Sequence, residues 1–333
     1  MSGVDFLKKL GTKVLLHSGF MRIYRTAFPN KNPLILMYHQ VKKNEFEKQM
    51  KYLKTNYNII SLNDLVERIN KKIDFQMNTV VITFDDGYLN NYTEALPILS
   101  KYNITATLFI TTSLIDGKEL AWWDKIKCLI ENAEVSSFSF KFDNLILNFN
   151  LKTSKDKNDA ADLLHKVLAK YNYKMRIKAI KNLTVILKSS FSDEYLDKFS
   201  FMNWEQIKEF SNCNNEIGSH TITHPFLSNI SKEEIKKEVN KSKFCLEKKL
   251  RLKIKSFCYP SGNFDNDVKE MVKKSGYQCA CSIKLGFINQ KSDVYELKRV
   301  GININDNLGI FSVKMTRLWT SIRSFLLKNE NET

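Results

Sequence analysis

The 333-residue sequence predicts an α/β fold in which parallel strands alternate with helices and close into a distorted barrel. Short apolar runs rich in β-branched residues alternate with segments of helical period in both the first and the last third of the chain. The low counts of 11 Gly and 5 Pro speak against an all-β, turn-rich architecture. Hydrophobic residues make up 43% of the chain, which suits one large core and excludes a disordered protein.

The first block of this alternation covers residues 33–111. Its helix over 46–57 is predicted from Phe46, Met50 and Leu53 at helical spacing, and Ser61 is expected to cap the next helix. The predicted strands are 33–38, 59–60, 79–84 and 106–111, and the other predicted helices are 62–69 and 92–102.

The middle block, about residues 120–200, differs in composition and hydrophobic pattern from the other two and is predicted to be an insertion. It opens with Trp122 and Trp123, continues with two alternating runs typical of a hairpin, and ends in Lys-rich helical sequence. The two runs are 137–142 and 145–151.

The third block resumes the alternation up to residue 302. Ser231 begins a capping-box pattern before a long helix over 232–250. The other predicted helices are 204–210 and 267–275, and the predicted strands are 216–219, 256–259, 279–283 and 296–302. The chain is thus divided into a barrel over 33–305, a basic amphipathic segment 1–32 and a basic amphipathic tail 306–333.

Side chains suited to metal binding or proton transfer follow several predicted strands. His39, Asp85-Asp86, His220 and the turn 259–262 each come directly after such a strand. In parallel α/β folds the carboxyl ends of the strands share one edge, where binding and catalytic groups gather. The sequence therefore predicts one site that is assembled from four separate segments.

Asp85 and Asp86 are adjacent after the run 79–84, so the repulsion between their like charges must be compensated. Either exposure of the turn to water or a bound metal ion would compensate it. His220 and His224 are four residues apart and, in a helix, would project from one face toward a single ion. Two imidazoles and one carboxylate form a hydrolytic metal site, in which one aspartate binds the ion and its neighbour is the general base.

Three motifs resemble, in the same order, those of the polysaccharide deacetylase family, also called the NodB-homology or carbohydrate esterase 4 group. They are TFDDG at 83–87, HTITH at 220–224 and SFCYPSG at 256–262, and the similarity covers about residues 33–120 and 200–305. Tyr38-His39 is similar to an early motif of the exopolysaccharide N-deacetylase branch. The resemblance implies a distorted (β/α) barrel and metal-dependent hydrolysis of acetyl groups, mostly from N-acetylated sugars.

The resemblance also implies a role for each matching residue. Asp85 would be the general base, and the backbone N–H of Ser261 would help to hold the oxyanion. Asp86, His220 and His224 would bind a divalent metal ion, usually Zn²⁺. Substrate contacts are expected from Tyr259, Pro260 and Gly262 of the third motif. Trp204 lies outside the motifs and is expected either to offer an aromatic platform to a sugar ring or to pack in the core.

Two departures from the family pattern concern this chemistry. The third motif often opens with an arginine that orients the base, and Cys258 stands there instead. The last motif usually supplies a histidine as general acid, and no histidine follows His224. We expect His39 to be the general acid, with a packed histidine at the barrel rim as the alternative, and Arg299 to orient Asp85.

The charge balance suits an anionic partner, since Lys and Arg exceed Asp and Glu by 52 − 36 = 16. No motif for nucleic-acid binding accompanies it, so nucleic acid is not an expected partner. No stretch predicts a signal peptide or a membrane span, which predicts a cytoplasmic location, so the six cysteines are expected to be reduced, buried thiols. The two basic ends either contact an anionic inner-membrane surface or pack on the barrel.

Two other functions compete with deacetylation of an N-acetylated carbohydrate. A barrel that lost its general acid would only bind carbohydrate, and Cys258 and the missing late histidine favour that alternative. A metal-dependent amidase that acts on a non-sugar amide would use the same motifs. The sugar, its linkage to polymer, lipid or nucleotide, and the role of the insertion stay open at this point.

Overall fold

The structure, a computed structural model, describes residues 27–117, 120–191, 193–320 and 323. Parallel strands form the centre of the molecule. In chain order the strands are β1 (Leu34–Tyr38), β2 (Asn58–Ile59), β3 (Thr79–Phe84), β4 (Thr107–Ile110), β5 (Ser137–Phe142), β6 (Leu145–Asn150), β7 (Glu216–Ser219), β8 (Ser256–Cys258), β9 (Cys279–Cys281) and β10 (Val300–Gly301). The central sheet has the order β10-β1-β3-β4-β7-β8-β9, with β2 paired to β3, and its pairs are parallel.

The sheet curls until its two edges meet at the segment 297–301. On one side Leu297 forms a bridge with Cys281 of β9, and on the other Val300 pairs with Leu36 of β1. This closure produces the distorted (β/α) barrel that the sequence predicted. β3 lies near its centre and is buried at every position, which explains why each of its residues is apolar or β-branched.

Helices surround the barrel, and most begin where the sequence places a cap. Ser61 and Ser231 both accept a hydrogen bond from the backbone N–H three residues on, which confirms the two predicted caps. The helices outside the insertion are α1 (Lys43–Asn56), α2 (Leu62–Lys71), α3 (Leu96–Tyr102), α8 (Trp204–Asn212), α9 (Lys232–Leu250), α10 (Asn266–Lys274) and α11 (Leu308–Lys314), and those inside it are α4 (Trp122–Glu131), α5 (Ser154–Leu168), α6 (Tyr173–Leu187) and α7 (Asp193–Lys198).

The insertion has its own group of buried side chains. The antiparallel hairpin β5–β6 packs with α4, α5 and α6 around Phe140, Leu164 and Leu183, which have no exposed surface. The predicted hairpin is therefore confirmed, and the Lys-rich sequence after it is helical. The domain bounds 33–305 and 120–200 stay predictions.

Three local predictions differ from the structure. The strand expected over 296–302 is reduced to the two residues of β10, and the helix expected over 92–102 opens with a wider turn at Asn91–Ala95 before α3. All six cysteines are free, but Cys213 is exposed rather than buried.

Both chain ends extend beyond the described residues. The basic residues predicted for the N-terminal segment (Lys8, Lys9, Lys13, Arg22, Arg25) lie outside them, as does Lys328. Lys314 is described and pairs with Asp306 at 2.6 Å. Within the described part of the chain, every helix is too short or too polar to span a bilayer.

Candidate active site

The first segment of the site is the turn that follows β3. Asp85 extends the pairing with β1, since its backbone N–H donates to the carbonyl of Tyr38 at 2.9 Å. The chain then turns through two residues with positive φ, Asp86 at 75° and Gly87 at 89°. A Cβ atom at Gly87 would lie 3.0 Å from Ile110, so a tight approach as well as the backbone angle requires glycine. The turn directs the two carboxylates into the barrel mouth.

The second segment, 220–224, is a loop after β7 and not a helix, so the helical geometry that would place both histidines on one face does not occur. Thr221 has φ of 70° and His224 has φ of 53°, values that are incompatible with a right-handed helix. The loop still brings the imidazoles together, with ring centroids 4.8 Å apart. Non-glycine residues with positive φ are uncommon and often mark functional sites.

Two buried charged side chains hold this loop in place. Glu238 of α9 accepts hydrogen bonds from the backbone N–H groups of Ile222 and Thr223, at 2.7 and 3.0 Å, and from the Thr223 hydroxyl at 2.7 Å. Arg176 of α6 donates to the carbonyl of His224 at 3.1 Å. The barrel and the insertion thus hold the loop from two sides.

Asp86, His220 and His224 form a compact set of metal-ligating groups. The Nε2 atoms of the two histidines lie 3.7 and 3.8 Å from Asp86 Oδ1, and one ligand atom from each residue lies within 4.8 Å of the others. His220 Nδ1 lies 2.8 Å from the carbonyl of Cys258. Because a carbonyl only accepts, Nδ1 carries the proton and Nε2 keeps its lone pair for a metal ion.

The protonation of this set also suits a cation. Burial lowers the pKa of His220 to about 4 and that of His224 well below its usual range, so both imidazoles are neutral ligands at pH 7. Burial, and then the charge of Asp85, raise the pKa of Asp86. Asp86 Oδ1 is buried without a hydrogen-bond partner, and a bound cation would satisfy it.

A second set of possible ligands, Asp85, His220 and Cys258, is less suitable for a metal ion. Burial raises the pKa of the Cys258 thiol well above its usual value, which keeps it protonated. Asp85 is already paired with Arg299. Asp86, His220 and His224 are therefore the better site.

Asp85 and Arg299 form a buried bidentate ion pair. The guanidinium of Arg299 donates to Asp85 Oδ1 at 2.8 Å and to Oδ2 at 2.7 Å. The side chain of Arg299 is 0% exposed and that of Asp85 is 3% exposed. Burial raises the pKa of Asp85, but the charge and hydrogen bonds of Arg299 outweigh it and bring the pKa to about 2. Arg299 also donates to Cys258 Sγ at 3.0 Å. Arg299, on the segment that closes the barrel, therefore contacts Cys258, which occupies the position of the arginine in the family pattern.

One cavity of about 310 Å³ contains most of the predicted site residues. His39 is exposed at its mouth, and Ser261, with φ of 51°, lines it beside the carboxylates. Gly262 follows with φ of 63° and Pro260 is buried. The described residues that line the cavity are His39, Gln40, Asp85, Asp86, Tyr88, Trp123, Asp124, His165, Phe199, His220, His224, Ser261 and Ile283.

All four predicted substrate contacts, Tyr259, Pro260, Gly262 and Trp204, lie outside the described lining of this cavity. The ring of Tyr259 is fully buried and stacks on Phe264, and its hydroxyl donates to the carbonyl of Tyr295. Trp204 begins α8, packs against the main core and has Lys249 5.5 Å from its ring centroid. Neither residue is among the described residues that line the cavity.

No role was predicted from the sequence for Asp124, Glu238 or Arg176. Asp124 lines the cavity and accepts a hydrogen bond from the Tyr88 hydroxyl at 2.8 Å. Burial raises its pKa to about 7. The sequence does contain a signal for Glu238 and Arg176. Each lies on the apolar face of its helix, where a buried charge needs a partner.

The family model for polysaccharide deacetylases matches residues 72–280, which is more than half of the chain. The chain therefore belongs to the polysaccharide deacetylase family, and it is a hydrolase of that family. Its sequence is 23% identical over 288 residues to the protein YxkH of Bacillus subtilis (strain 168), covering 84% of this chain and 74% of YxkH. It is 24% identical over 266 residues to the poly-beta-1,6-N-acetyl-D-glucosamine N-deacetylase of Staphylococcus aureus (strain N315), covering 80% of this chain and 68% of that enzyme.

Solved structures share the fold. The Streptococcus pyogenes deacetylase PplD, in complex with acetate, superposes with a TM-score of 0.57 at 18% identity, covering 86% of this chain and 98% of PplD. IcaB from Ammonifex degensii gives a TM-score of 0.57 at 18% identity and covers 86% of this chain and 97% of IcaB. The predicted NodB-type barrel is confirmed by these likenesses.

Proposed function

We propose that the protein removes acetyl groups from N-acetylated sugars in surface-polysaccharide metabolism, in a metal-dependent hydrolysis. The observation that carries the proposal is the arrangement in one cavity of a carboxylate paired with arginine, Asp85, beside the ligand set of Asp86, His220 and His224. The Staphylococcus aureus relative, an N-deacetylase of poly-beta-1,6-N-acetyl-D-glucosamine, supports an acetamido sugar as the substrate.

Asp86, His220 and His224 would hold a divalent cation, and Zn²⁺ is the ion that most often takes two imidazoles and a carboxylate. When bound, such an ion polarises a carbonyl and lowers the pKa of water. The neutral imidazoles and the unpartnered Oδ1 of Asp86 support this assignment.

Asp85 would act as the general base. Its pKa of about 2 keeps it ionised at neutral pH, and the bidentate contact with Arg299 fixes its orientation. In the reaction it accepts a proton from the attacking water, whose oxygen bonds to the acetamide carbon. The backbone N–H of Ser261 donates to the oxyanion that forms on the carbonyl oxygen.

His39 would act as the general acid. Once the C–N bond breaks, the sugar nitrogen leaves as an amine and needs a proton, and the acyl group departs as acetate. His39 lines the same cavity as Asp85 and remains exposed at its mouth, where it can exchange protons with solvent. It takes the place of the late histidine that the chain lacks.

The test combines metal analysis with acetate release from N-acetylglucosamine oligomers and UDP-N-acetylglucosamine. We expect one equivalent of bound metal, loss of the metal in Asp86→Asn, and loss of acetate release without loss of metal in Asp85→Asn. Thr93→Ala, an exposed change outside the cavity, is the control. Absence of metal would refute the mechanism.

Two further outcomes distinguish the competing functions. Bound metal and sugar without acetate from any acceptor would indicate a carbohydrate-binding barrel. Acetate from simple acetamides at rates equal to those from sugars would indicate an amidase for non-sugar substrates. His39→Gln tests the acid: turnover equal to that of the wild type would show that another group supplies the proton.

Contact with an anionic membrane, at the inner surface in a cytoplasmic location, stays a prediction. Most of the basic residues that suggested it lie outside the described chain, and Lys314 is paired with Asp306. Flotation with anionic vesicles at low salt is the test, and protein that remains at the bottom of the gradient would refute it.

A further inference from the structure

The insertion contributes polar side chains to the active-site cavity that the proposed mechanism does not use. Asp124 of α4 and His165 of α5 line the same cavity as Asp85. The cavity volume of about 310 Å³ lies at the low end of the range of about 300–1,000 Å³ usual for ligand sites, which suits a single sugar residue. Asp124 and His165 therefore face the ring whose acetamide reaches Asp85.

Asp124 is a buried carboxylate that lacks a cationic partner. The residue is 5% exposed, and its Oδ2 accepts a hydrogen bond from the Tyr88 hydroxyl at 2.8 Å. Among the described residues, no cationic side chain forms an ion pair with Asp124 and no group donates to its Oδ1. A charge buried without a cation destabilises the folded state, so packing alone does not explain a carboxylate here.

The orientation of Asp124 is set before any ligand binds. The Tyr88 hydroxyl donates to Oδ2 and accepts a hydrogen bond from Trp123 Nε1 at 2.9 Å. Because Tyr88 occupies Oδ2, Oδ1 is the oxygen left to accept a hydrogen bond from a ligand hydroxyl. An acceptor whose orientation is already fixed loses little conformational entropy on binding.

The ring of His165 is fixed by aromatic contacts that leave its nitrogens for a ligand. It stacks on Trp122 with ring centroids 5.0 Å apart, and Phe226 lies edge-on at 6.3 Å. No described residue hydrogen-bonds to either ring nitrogen. Burial lowers the pKa of His165 below its ordinary value, so at pH 7 the neutral imidazole offers one donor and one acceptor.

We propose that Asp124 and His165 are specificity-determining residues that bind the hydroxyl groups of the sugar whose acetamide is hydrolysed. The inference rests on the proposed function and deepens it, since it assigns the choice of a sugar over a simple amide to the insertion. Asp124 accepts a hydrogen bond from one ring hydroxyl, and His165 binds a second. An acetamide without hydroxyl groups would leave the carboxylate of Asp124 buried without that donor, which disfavours its binding.

The test measures Kd for the methyl glycoside of N-acetylglucosamine and for its 3-, 4- and 6-deoxy analogues. Asp85→Asn is the background, because it leaves each ligand intact. One deoxy analogue should bind about 10- to 100-fold more weakly, the range for a hydrogen bond to a charged group. Asp124→Ala should remove this difference. Asp124→Asn, which retains an acceptor for Tyr88 without the charge, should reduce the difference to about two- to tenfold.

His165→Phe tests the second contact, because it retains the aromatic stack on Trp122 and removes the ring nitrogens. It should remove a difference of about two- to tenfold for another of the deoxy analogues, the range for a neutral hydrogen bond. Asp159→Ala, which removes an exposed carboxylate from α5, is the matched control and should leave every ratio unchanged.

The outcomes separate this inference from the proposed function. Equal Kd values for all four ligands in Asp85→Asn, or differences that persist in Asp124→Ala and His165→Phe, would overturn the inference, while acetate release by the wild type leaves deacetylation standing. Differences that these two variants remove, without acetate release by the wild type from any substrate, would support the sugar contacts and refute the deacetylase.

Discussion

Replacing Arg299 by Met tests whether the buried ion pair sets the pKa of Asp85, the proposed general base. Methionine retains much of the volume of the arginine stem and removes the charge and the donors. The change takes away both hydrogen bonds to the carboxylate and those to the carbonyl of Ser282 and the Thr83 hydroxyl. Asp85 itself remains buried.

The size of the destabilisation follows from the burial of the pair and from the pKa of Asp85. A fall of the pKa of Asp85 from 3.8 to about 2 corresponds to about 2.4 kcal/mol in favour of the folded state at neutral pH. Without Arg299 that contribution disappears and the carboxylate is left buried without a counter-charge. Breaking a buried pair in this way costs about 3–5 kcal/mol, which we expect at pH 7.

The sign of the pH dependence gives a sharper test. In the wild type the contribution of Asp85 is fully present above about pH 4 and is lost as the pH falls through about 2. In Arg299→Met, burial raises the pKa of Asp85, so the contribution of Asp85 turns against the folded state as the pH rises above about 4. The difference between the two proteins should therefore be larger at pH 7 than at pH 4.

Urea unfolding in EDTA, followed by circular dichroism at both pH values, measures these free energies. The double variant Asp85→Asn/Arg299→Met removes both charges and should regain much of the lost stability without regaining acetate release. The reasoning would be refuted by a single variant within 1 kcal/mol of the wild type at pH 7, or by a double variant no more stable than the single one.

Three other predictions concern single side chains. Gly87→Ala should destabilise the fold by about 1–3 kcal/mol in a thermal melt, because φ is 89° there; an unchanged Tm would contradict this. Because burial raises the pKa of Asp124 from 3.8 to about 7, its own contribution to the stability of the metal-free protein should fall by about 3 kcal/mol between pH 4 and 7, so urea unfolding should find Asp124→Asn gaining that much relative to the wild type. Glu238→Gln should weaken zinc binding about 10- to 100-fold in a chelator competition, while the exposed change Glu233→Gln should not.

Much of the fold could be predicted from the sequence because the signals are local. The run before Asp85 is apolar or β-branched at every position since β3 is buried on both faces, and Ser61 and Ser231 cap helices through contacts within three residues. The strand over 296–302 was overestimated for a non-local reason. Leu297 and Arg299 take their backbone partners from residues 280, 282 and 284, so only Val300 and Gly301 join a regular ladder.

The site was harder to predict, because its geometry depends on contacts between distant segments. The spacing of His220 and His224 suggested a helix, yet Glu238 and Arg176 hold the loop in a conformation with positive φ. Binary patterning treats a charged residue as solvent-exposed, so it overlooks the buried charges that support a site.

The closure of the barrel at 297–301 also has a consequence for folding. Asp85 and Arg299 are 214 residues apart, and they meet only when the last strand pairs with the first. Contacts of such sequence separation raise the contact order and slow folding, since loop-closure entropy is lost before they form. During synthesis, Asp85 therefore lacks its buried counter-charge until residue 299 has been made, and a nascent chain that ends before residue 299 cannot form this ion pair.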